Sequence, residues 1–155
     1  MRLDGTMLAF DVGARRIGVA VGSRLGAGAR GIAVVDMRDE KADWVAVEKL
    51  KREWMPTGFI VGDPLTLDGS DQPSRIRAKR FARGLHERFH LPVLMIDERS
   101  SSIEAAQRFA VARAEGQRRR RDAAELDAVA AAVILERFFA APDTATEPVE
   151  RAGDA

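Results

Sequence analysis

Three carboxylates in this chain occupy positions where a charge needs a reason. Asp11 closes the alternating apolar run Met7-Leu8-Ala9-Phe10 and leads through Val12-Gly13 to a second run, Ile17 to Gly22. A charge at the mouth of a buried hairpin is costly unless a metal ion, a phosphate-binding loop or another partner meets it. Glu98 lies just past the apolar run Val93 to Ile96, within the triplet Asp97-Glu98-Arg99. Asp127 lies too deep in a helical segment to cap it, and its neighbours three and four positions away are Ala123, Ala124, Ala130 and Ala131. An alanine patch lets a helix approach a sheet closely, and a carboxylate centred in it is delivered to the sheet edge. Each residue also has an ordinary explanation. Asp11 would cap the hairpin turn, Glu98 would pair with Arg99, and Asp127 would be a solvated helix position.

Together the three suit hard-cation chemistry. The chain has no cysteine and only two histidines, His86 and His90, so oxygen donors must hold any metal. That favours Mg2+ or Mn2+. Such ions bridge phosphate oxygens, activate water and stabilise a leaving oxygen, and in two-metal sites they lie about 3.5–4 Å apart. Asp11, fixed by a strand, is the natural bridging ligand. The reaction class is phosphodiester hydrolysis by in-line attack of water, with no side-chain nucleophile.

The elements that must bring these groups together follow from periodicity. Residues 6–12 and 15–22 read as a hairpin and Arg30 to Asp36 as a third strand. A helix over 40–55 carries Trp44, Val47, Leu50 and Trp54 on one side, and Pro56-Thr57-Gly58 ends it. Phe59-Ile60-Val61 is a short buried strand leading to the loop Gly62-Asp63-Pro64 through Asp68-Gly69. Residues 73–89 form a helix whose inner stripe is Ala78, Phe81, Ala82, Leu85 and Phe89, with Arg75, Arg77, Lys79, Arg83 and Arg88 outside. Val93 to Ile96 is the next strand. Ser101 with Glu104 opens a helix to about Ala112, and Asp122 with Glu125 opens a last one to about Phe139.

The order β-β-β-α-β-α-β-α-α implies an α/β fold, a mixed five-stranded sheet with helices on its faces. Ligands of such sheets gather at the carboxyl ends of the central strands. Asp11 and Glu98 reach that edge if their strands are parallel neighbours, whereas Asp97 should point the other way. Residues 1–139 are expected to form one domain. The Pro-, Thr- and Glu-rich stretch 140–155 is expected to be a disordered tail whose removal changes little.

Bulk properties narrow the class. The chain has 155 residues, 46% hydrophobic and 32% charged, with a net charge of +1 that makes no case for nucleic acid by itself. No apolar run spans a bilayer and the opening Met1 to Gly5 lacks a signal-peptide core, so a cytoplasmic protein with no membrane partner is expected. Lysine occurs only at 41, 49, 51 and 79, leaving arginine as the dominant base, with a run from Arg118 to Arg121.

These motifs resemble a known family. Phe10-Asp11-Val12-Gly13, Arg15 to Ala20, Gly62-Asp63-Pro64-Leu65 with Asp68-Gly69, Asp97-Glu98-Arg99, and Asp127 followed by Ala-Val-Ile-Leu at 132–135 are similar to the YqgF/RuvX family. The resemblance covers about residues 7–139. It implies a ribonuclease H-like fold related to Holliday junction resolvases, with Asp11, Glu98 and Asp127 at the family's acidic positions. It also implies a metal-dependent nuclease, since family members are described as junction resolvases and as nucleases maturing the 5′ end of precursor 16S ribosomal RNA. Three positions depart from the family pattern: Asp63 stands at a usually uncharged place, Ser100 at a common Leu, and Glu125 at a common Lys.

Substrate contacts are expected from Arg15 and Arg16 beside the acidic edge, from Arg99, and from Arg118, Arg119, Arg120 and Arg121 ahead of the last helix. With little aromatic interleaving and no tyrosine, recognition should be by shape and backbone rather than by base stacking. The partner is then structured RNA, such as precursor rRNA, or branched DNA. Cutting both strands of a junction would call for a homodimer. Two other classes fit parts of the pattern. An actin-like nucleotide-binding domain begins with a similar Asp-x-Gly hairpin but normally needs a second such domain. A non-catalytic nucleic-acid-binding factor would bind without cutting.

Overall fold

The structure, a computed structural model, describes residues 5–26, 28–64, 72–97 and 122–148. Its strands are β1 (Thr6–Val12), β2 (Arg16–Ser23), β3 (Gly28–Arg38), β4 (Lys41–Ala42), β5 (Gly58–Asp63) and β6 (Val93–Asp97). Its helices are α1 (Trp44–Trp54), α2 (Pro73–Phe89) and α3 (Asp122–Ala140). The strands form one sheet in the order β4-β3-β2-β1-β5-β6. β1, β2 and β3 meander antiparallel, while β5 is parallel to both β1 and β6.

Central strands read as uninterrupted apolar runs because both their faces are covered. Met7, Leu8, Ala9 and Phe10 of β1 are all 0% exposed. Alternation divides them between two cores. Leu8 and Phe10 join Phe59, Val61, Phe81 and Leu85 beneath α1 and α2. Met7 and Ala9 join Ile60, Ile96, Ile134, Leu135 and Phe138 beneath α3.

The sheet has six strands rather than the expected five. Lys41 and Ala42, assigned from sequence to the start of a helix, pair instead with Arg38 and Met37. A two-residue turn joins these strands, with Asp39 and Glu40 both in the left-handed region at φ 50° and 64°. Positive φ at both central residues is what a tight hairpin needs to match strand twist, but it costs a non-glycine residue some strain. Arg77 of α2 steadies this turn by donating from Nε and Nη2 to the Glu40 carboxylate at 2.8 and 3.0 Å. That hydrogen bonding holds the Glu40 carboxyl below its ordinary pKa and raises that of Arg77. With 41–42 in the sheet, α1 begins later, capped by Asp43, whose side chain accepts from the Ala46 N–H. β3 is also longer than expected, and a bulge lets it continue, since Val19 faces Ala33 while Ala20 faces Gly31.

The first part of the expected tail is a second correction, while residues 149–155 lie outside the described residues. Residues 142–144 make a 3-10 turn, and Thr146 then forms an antiparallel bridge with Met95 through hydrogen bonds of 2.7 and 2.9 Å. Ala145 packs on the core under α3, and Pro148 is buried. β6 is an edge strand, and an unpaired edge is a site for unwanted pairing. The first part of the tail covers that edge, so 141–148 is ordered structure. The helix expected over 101–112 lies outside the described residues. No helix among the described residues is long and apolar enough to cross a membrane.

Removing residues after Ala140 therefore costs stability. The two lost backbone hydrogen bonds alone are worth about 1–3 kcal/mol. Thermal denaturation of the truncated chain should show a midpoint several degrees lower. An unchanged midpoint would mean that the bridge to Met95 contributes nothing.

Candidate nuclease site at the carboxyl ends of the parallel strands

Asp11 stands one residue from the end of β1, half-buried. Because Met7 and Ala9 face α3, alternation turns Asp11 to that same face. Its partner across the β1–β2 ladder is Gly18. Directly opposed residues of an antiparallel pair have Cα atoms about 4.5–5.5 Å apart.

Gly18 is where α3 comes down on the sheet. A Cβ built there would lie 2.0 Å from the carbonyl oxygen of Asp127 and 2.4 Å from its carbonyl carbon. On the next strand, a Cβ at Gly31 would lie 2.7 Å from that of Ala128. Two missing side chains let the helix backbone rest on β2 and β3. The contact places Asp127 against the residue opposite Asp11. Two carboxylates far apart in sequence thus reach one end of one face, as the alanine patch around Asp127 suggested. The rest of α3 supports this seat, with Ala130, Ala131, Val133, Ile134, Leu135 and Phe138 buried.

Glu98, Arg99 and the run Arg118 to Arg121 lie outside the described residues. Of the basic candidates that are described, Arg15 is exposed at the β1–β2 turn. Arg16 has a more specific position. Its Nε donates to Asp127 Oδ2 at 2.6 Å, with the two side chains 42% and 29% exposed. A pair this open to water adds little to stability. Its consequence is positional, because it ties the β1–β2 turn to α3 beside Asp11.

Asp63 and Asp97 belong to the other face. They are register partners at the ends of β5 and β6, and alternation groups them with Val61 and Met95 under α2. Asp63 is 4% exposed and accepts from Arg75 Nε at 2.9 Å and from Nη2 at 3.4 Å. The sequence left Asp63 as either an added acidic group or a harmless loop residue. It is instead half of a buried ion pair that anchors the first turn of α2 to β5. Arg75 and Arg77, expected on the outer side of α2, are turned inward, with side chains 18% and 16% exposed. Their signal was obscured because both lie on a helix rich in solvated arginines. The alternation Phe59, Val61, Asp63 did carry a hint, since it aims Asp63 at α2.

The donor chemistry at the α3 face fits a hard cation. Asp11 and Asp127 offer only carboxylate oxygens, the ligands that Mg2+ and Mn2+ prefer. Among the described residues no third acidic group, histidine or cysteine joins them to complete a metal-binding set.

Gly18 is the position on which this geometry is most exposed to test. Gly18→Ala pushes a methyl into helix backbone, which cannot move aside as a flexible side chain can. Overpacking of this kind costs at least about 2 kcal/mol. Urea denaturation should show that loss, and a variant within ~0.5 kcal/mol of the parent would mean that α3 does not bear on Gly18.

Comparisons with known proteins agree with this architecture. The RuvX family, described as a Holliday junction resolvase, matches residues 5–141. A protein of Xanthomonas axonopodis pv. citri (strain 306) named "Putative pre-16S rRNA nuclease" is 64% identical over 146 residues, 94% of each chain. Its counterpart of the same name in Xanthomonas campestris pv. campestris (strain B100) is 62% identical over 146 residues, again 94% of each. Among solved structures, Thermus thermophilus RuvC in complex with a Holliday junction substrate matches with a TM-score of 0.57 at 18% identity, over 92% of this chain and 99% of that one. At that identity the likeness speaks for the fold, which is the ribonuclease H-like fold of RuvC. With its family match across nearly all of the folded residues, the chain belongs to the RuvX family of Holliday junction resolvases.

Proposed function

We propose that the chain is a divalent-metal-dependent nuclease that hydrolyses phosphodiester bonds in the cytoplasm, during 5′-end maturation of precursor 16S rRNA. The observation that carries the reading is the seating of α3 on Gly18, which delivers Asp127 to the end of the sheet that bears Asp11. The choice of precursor rRNA over branched DNA follows the names of the relatives at 62–64% identity.

Asp11 and Asp127 would hold the metal, with Glu98 as the third ligand. When bound, the metal supplies Lewis-acid charge and a lowered water pKa at the scissile phosphate. The protein supplies position. Asp11 is fixed by the paired, central β1, and Asp127 by a helix that cannot shift without unseating from Gly18 and Gly31. Exposed Arg15 meets a phosphate at the rim of the site. Arg16 offsets the charge of Asp127 and keeps the edge from being purely acidic, which favours approach of a polyanion. Arg99 and Arg118 to Arg121 extend the phosphate contacts. A junction-cutting activity would instead call for two copies of the site related by symmetry.

The test is cleavage of a panel, comprising a precursor 16S rRNA 5′ end, a four-way DNA junction, and single-stranded RNA and DNA. Each is incubated with Mg2+, Mn2+ or EDTA. The rRNA end should be cut only with metal, and Asp11→Asn and Glu98→Gln should each slow cutting by roughly 10²-fold or more while leaving the circular dichroism spectrum intact. Preferred cutting of the junction would reassign the substrate. Undiminished cutting by both variants would remove these residues from the mechanism, and binding without cutting would make the protein a non-catalytic factor.

A further inference from the structure

The charge on α2 is not absorbed by the site at Asp11. Glu87 is the lone acid in a helix that carries basic residues from Arg75 to Arg88. A cavity of about 350 Å³ separates α2 from the β3–β4 hairpin and the start of α1, with Met37, Lys41, Trp44, Arg77, Arg80 and Arg88 in its walls. Arg83, Gly84 and Glu87 continue the same groove along the helix.

Its floor is rigid. The Trp44 indole stacks on Phe81 with centroids 5.0 Å apart and planes 14° from parallel. Gly84 makes room for it, since a Cβ there would lie 2.7 Å from the indole. The Arg88 guanidinium lies 4.4 Å from the indole centroid, a cation–π contact. The groove's charges then sort themselves. Glu40 is occupied by Nε and Nη2 of Arg77, so that acid and that base cancel, and Arg80 lies near enough to add to the positive field on Glu40. Arg88 is held over the indole. Lys41, Arg80 and Arg83 are exposed and pair with no carboxylate among the described residues, and the exposed acid Glu87 beside them leaves the groove with a net positive charge.

The groove opens at the same end of the sheet as Asp11 but on the opposite face, since α1 and α2 cover the side of Leu8 and Phe10 whereas Asp11 faces α3. Met37 N–H donates to the carbonyl of Arg15 at 2.9 Å, and Asp43 N–H donates to that of Asp36 at 3.0 Å. These bonds lock the β1–β2 turn, the β3–β4 hairpin and the start of α1 into one rim, on which Arg15 and Arg38 are exposed together with Asp36, Asp39 and Asp43. β4 is three strands from β1. At ~4.8 Å per strand the span within the sheet is about 14 Å, and a backbone running from Asp11 to the groove must also pass over the end of the sheet. One strand of a duplex covers the in-sheet part of that path in roughly four nucleotides at 3.4 Å each.

We propose that the groove between α2 and the β3–β4 hairpin is a second anchoring surface for the phosphodiester backbone of a folded or duplex substrate, with Lys41, Arg80 and Arg83 as its phosphate contacts on a backbone that passes over the end of the sheet. The proposal rests on the nuclease reading above and adds the direction in which the substrate leaves the site. Recognition there is by backbone, because the indole is already committed to Phe81 and Arg88. Bases need not be read.

Binding in EDTA, where nothing is cut, tests it. The probes are a precursor rRNA hairpin and a DNA duplex of equal length. The double variant Arg80→Glu/Arg83→Glu should weaken binding roughly tenfold or more and make the slope of log K against log salt shallower by about 2, near 0.9 per lost phosphate contact. The control Arg24→Glu/Arg52→Glu makes the same change in net charge on exposed residues at the opposite end of the sheet, and should bind within about twofold of the parent. Greater loss on RNA than on DNA would assign the groove to A-form substrate, and equal loss to any duplex backbone. Parent-like binding by the α2 variant overturns the proposal and leaves the groove to a partner other than nucleic acid. So does equal loss in the control. If Asp11-dependent cutting persists alongside such a result, the nuclease reading stands without the groove. Failure of the parent to bind either probe removes both.

Discussion

The closeness of α3 to the sheet is the constraint on which the rest of the structure turns. Helix and sheet ordinarily meet through side chains, but at Gly18 and Gly31 they meet backbone to backbone or nearly so. Those two glycines, with Ala128 facing one of them, lower the helix onto β2 and β3. Asp127 is thereby set beside the strand that bears Asp11, with no loop to position it. A site built on regular elements has little freedom to drift, and that rigidity matters when two anionic groups must be held near each other before any cation arrives.

Ion pairs distribute charge around this end of the molecule in a consistent way. Arg75 neutralises Asp63 beneath α2, Arg77 neutralises Glu40 at the β3–β4 turn, and Arg16 pairs with Asp127 at the site itself. The first is buried. Truncating either partner of such a pair strands a charge, so its value is in fixing α2 rather than in net stability. Beside these pairs Arg15, Arg38, Lys41, Arg80 and Arg83 remain exposed, interspersed with exposed Asp36, Asp39, Asp43 and Glu87. A chain with a net charge of only +1 thus gathers most of its excess base along α2, where Glu87 is the lone acid. Composition conceals this, because it averages over faces that point in different directions.

Much of the fold was legible because its periodicities are strong. The bounds of α2 and the ends of the β1–β2 hairpin could be read within a residue, since apolar alternation and the Pro73 signal left few alternatives. The same alternation turned Asp97 away from the expected acidic edge, and it lies on the α2 face. Other features were hidden for physical reasons. Lys41-Ala42 carries no strand signature of its own and becomes one through its partners Met37 and Arg38. Thr146 pairs with Met95 although its surroundings are rich in Pro, Thr and Glu, because an open strand edge needs a partner more than it needs a particular side chain. The inward turn of Arg75 and Arg77 depends on acids twelve and thirty-seven positions away. Local patterning cannot report such contacts. For the site, the types and spacing of residues singled out Asp11 and Asp127, while the seam at Gly18 that joins them could be seen only in three dimensions.

The central claim is that this seam brings two distant carboxylates into reach of one divalent ion. Anomalous diffraction from crystals soaked in Mn2+ tests it most directly. The account predicts a peak at the end of β1, on the α3 face, with oxygens of both Asp11 and Asp127 within about 2.5 Å of the metal. A metal held elsewhere, or one that touches Asp11 while Asp127 stays with Arg16, would contradict it.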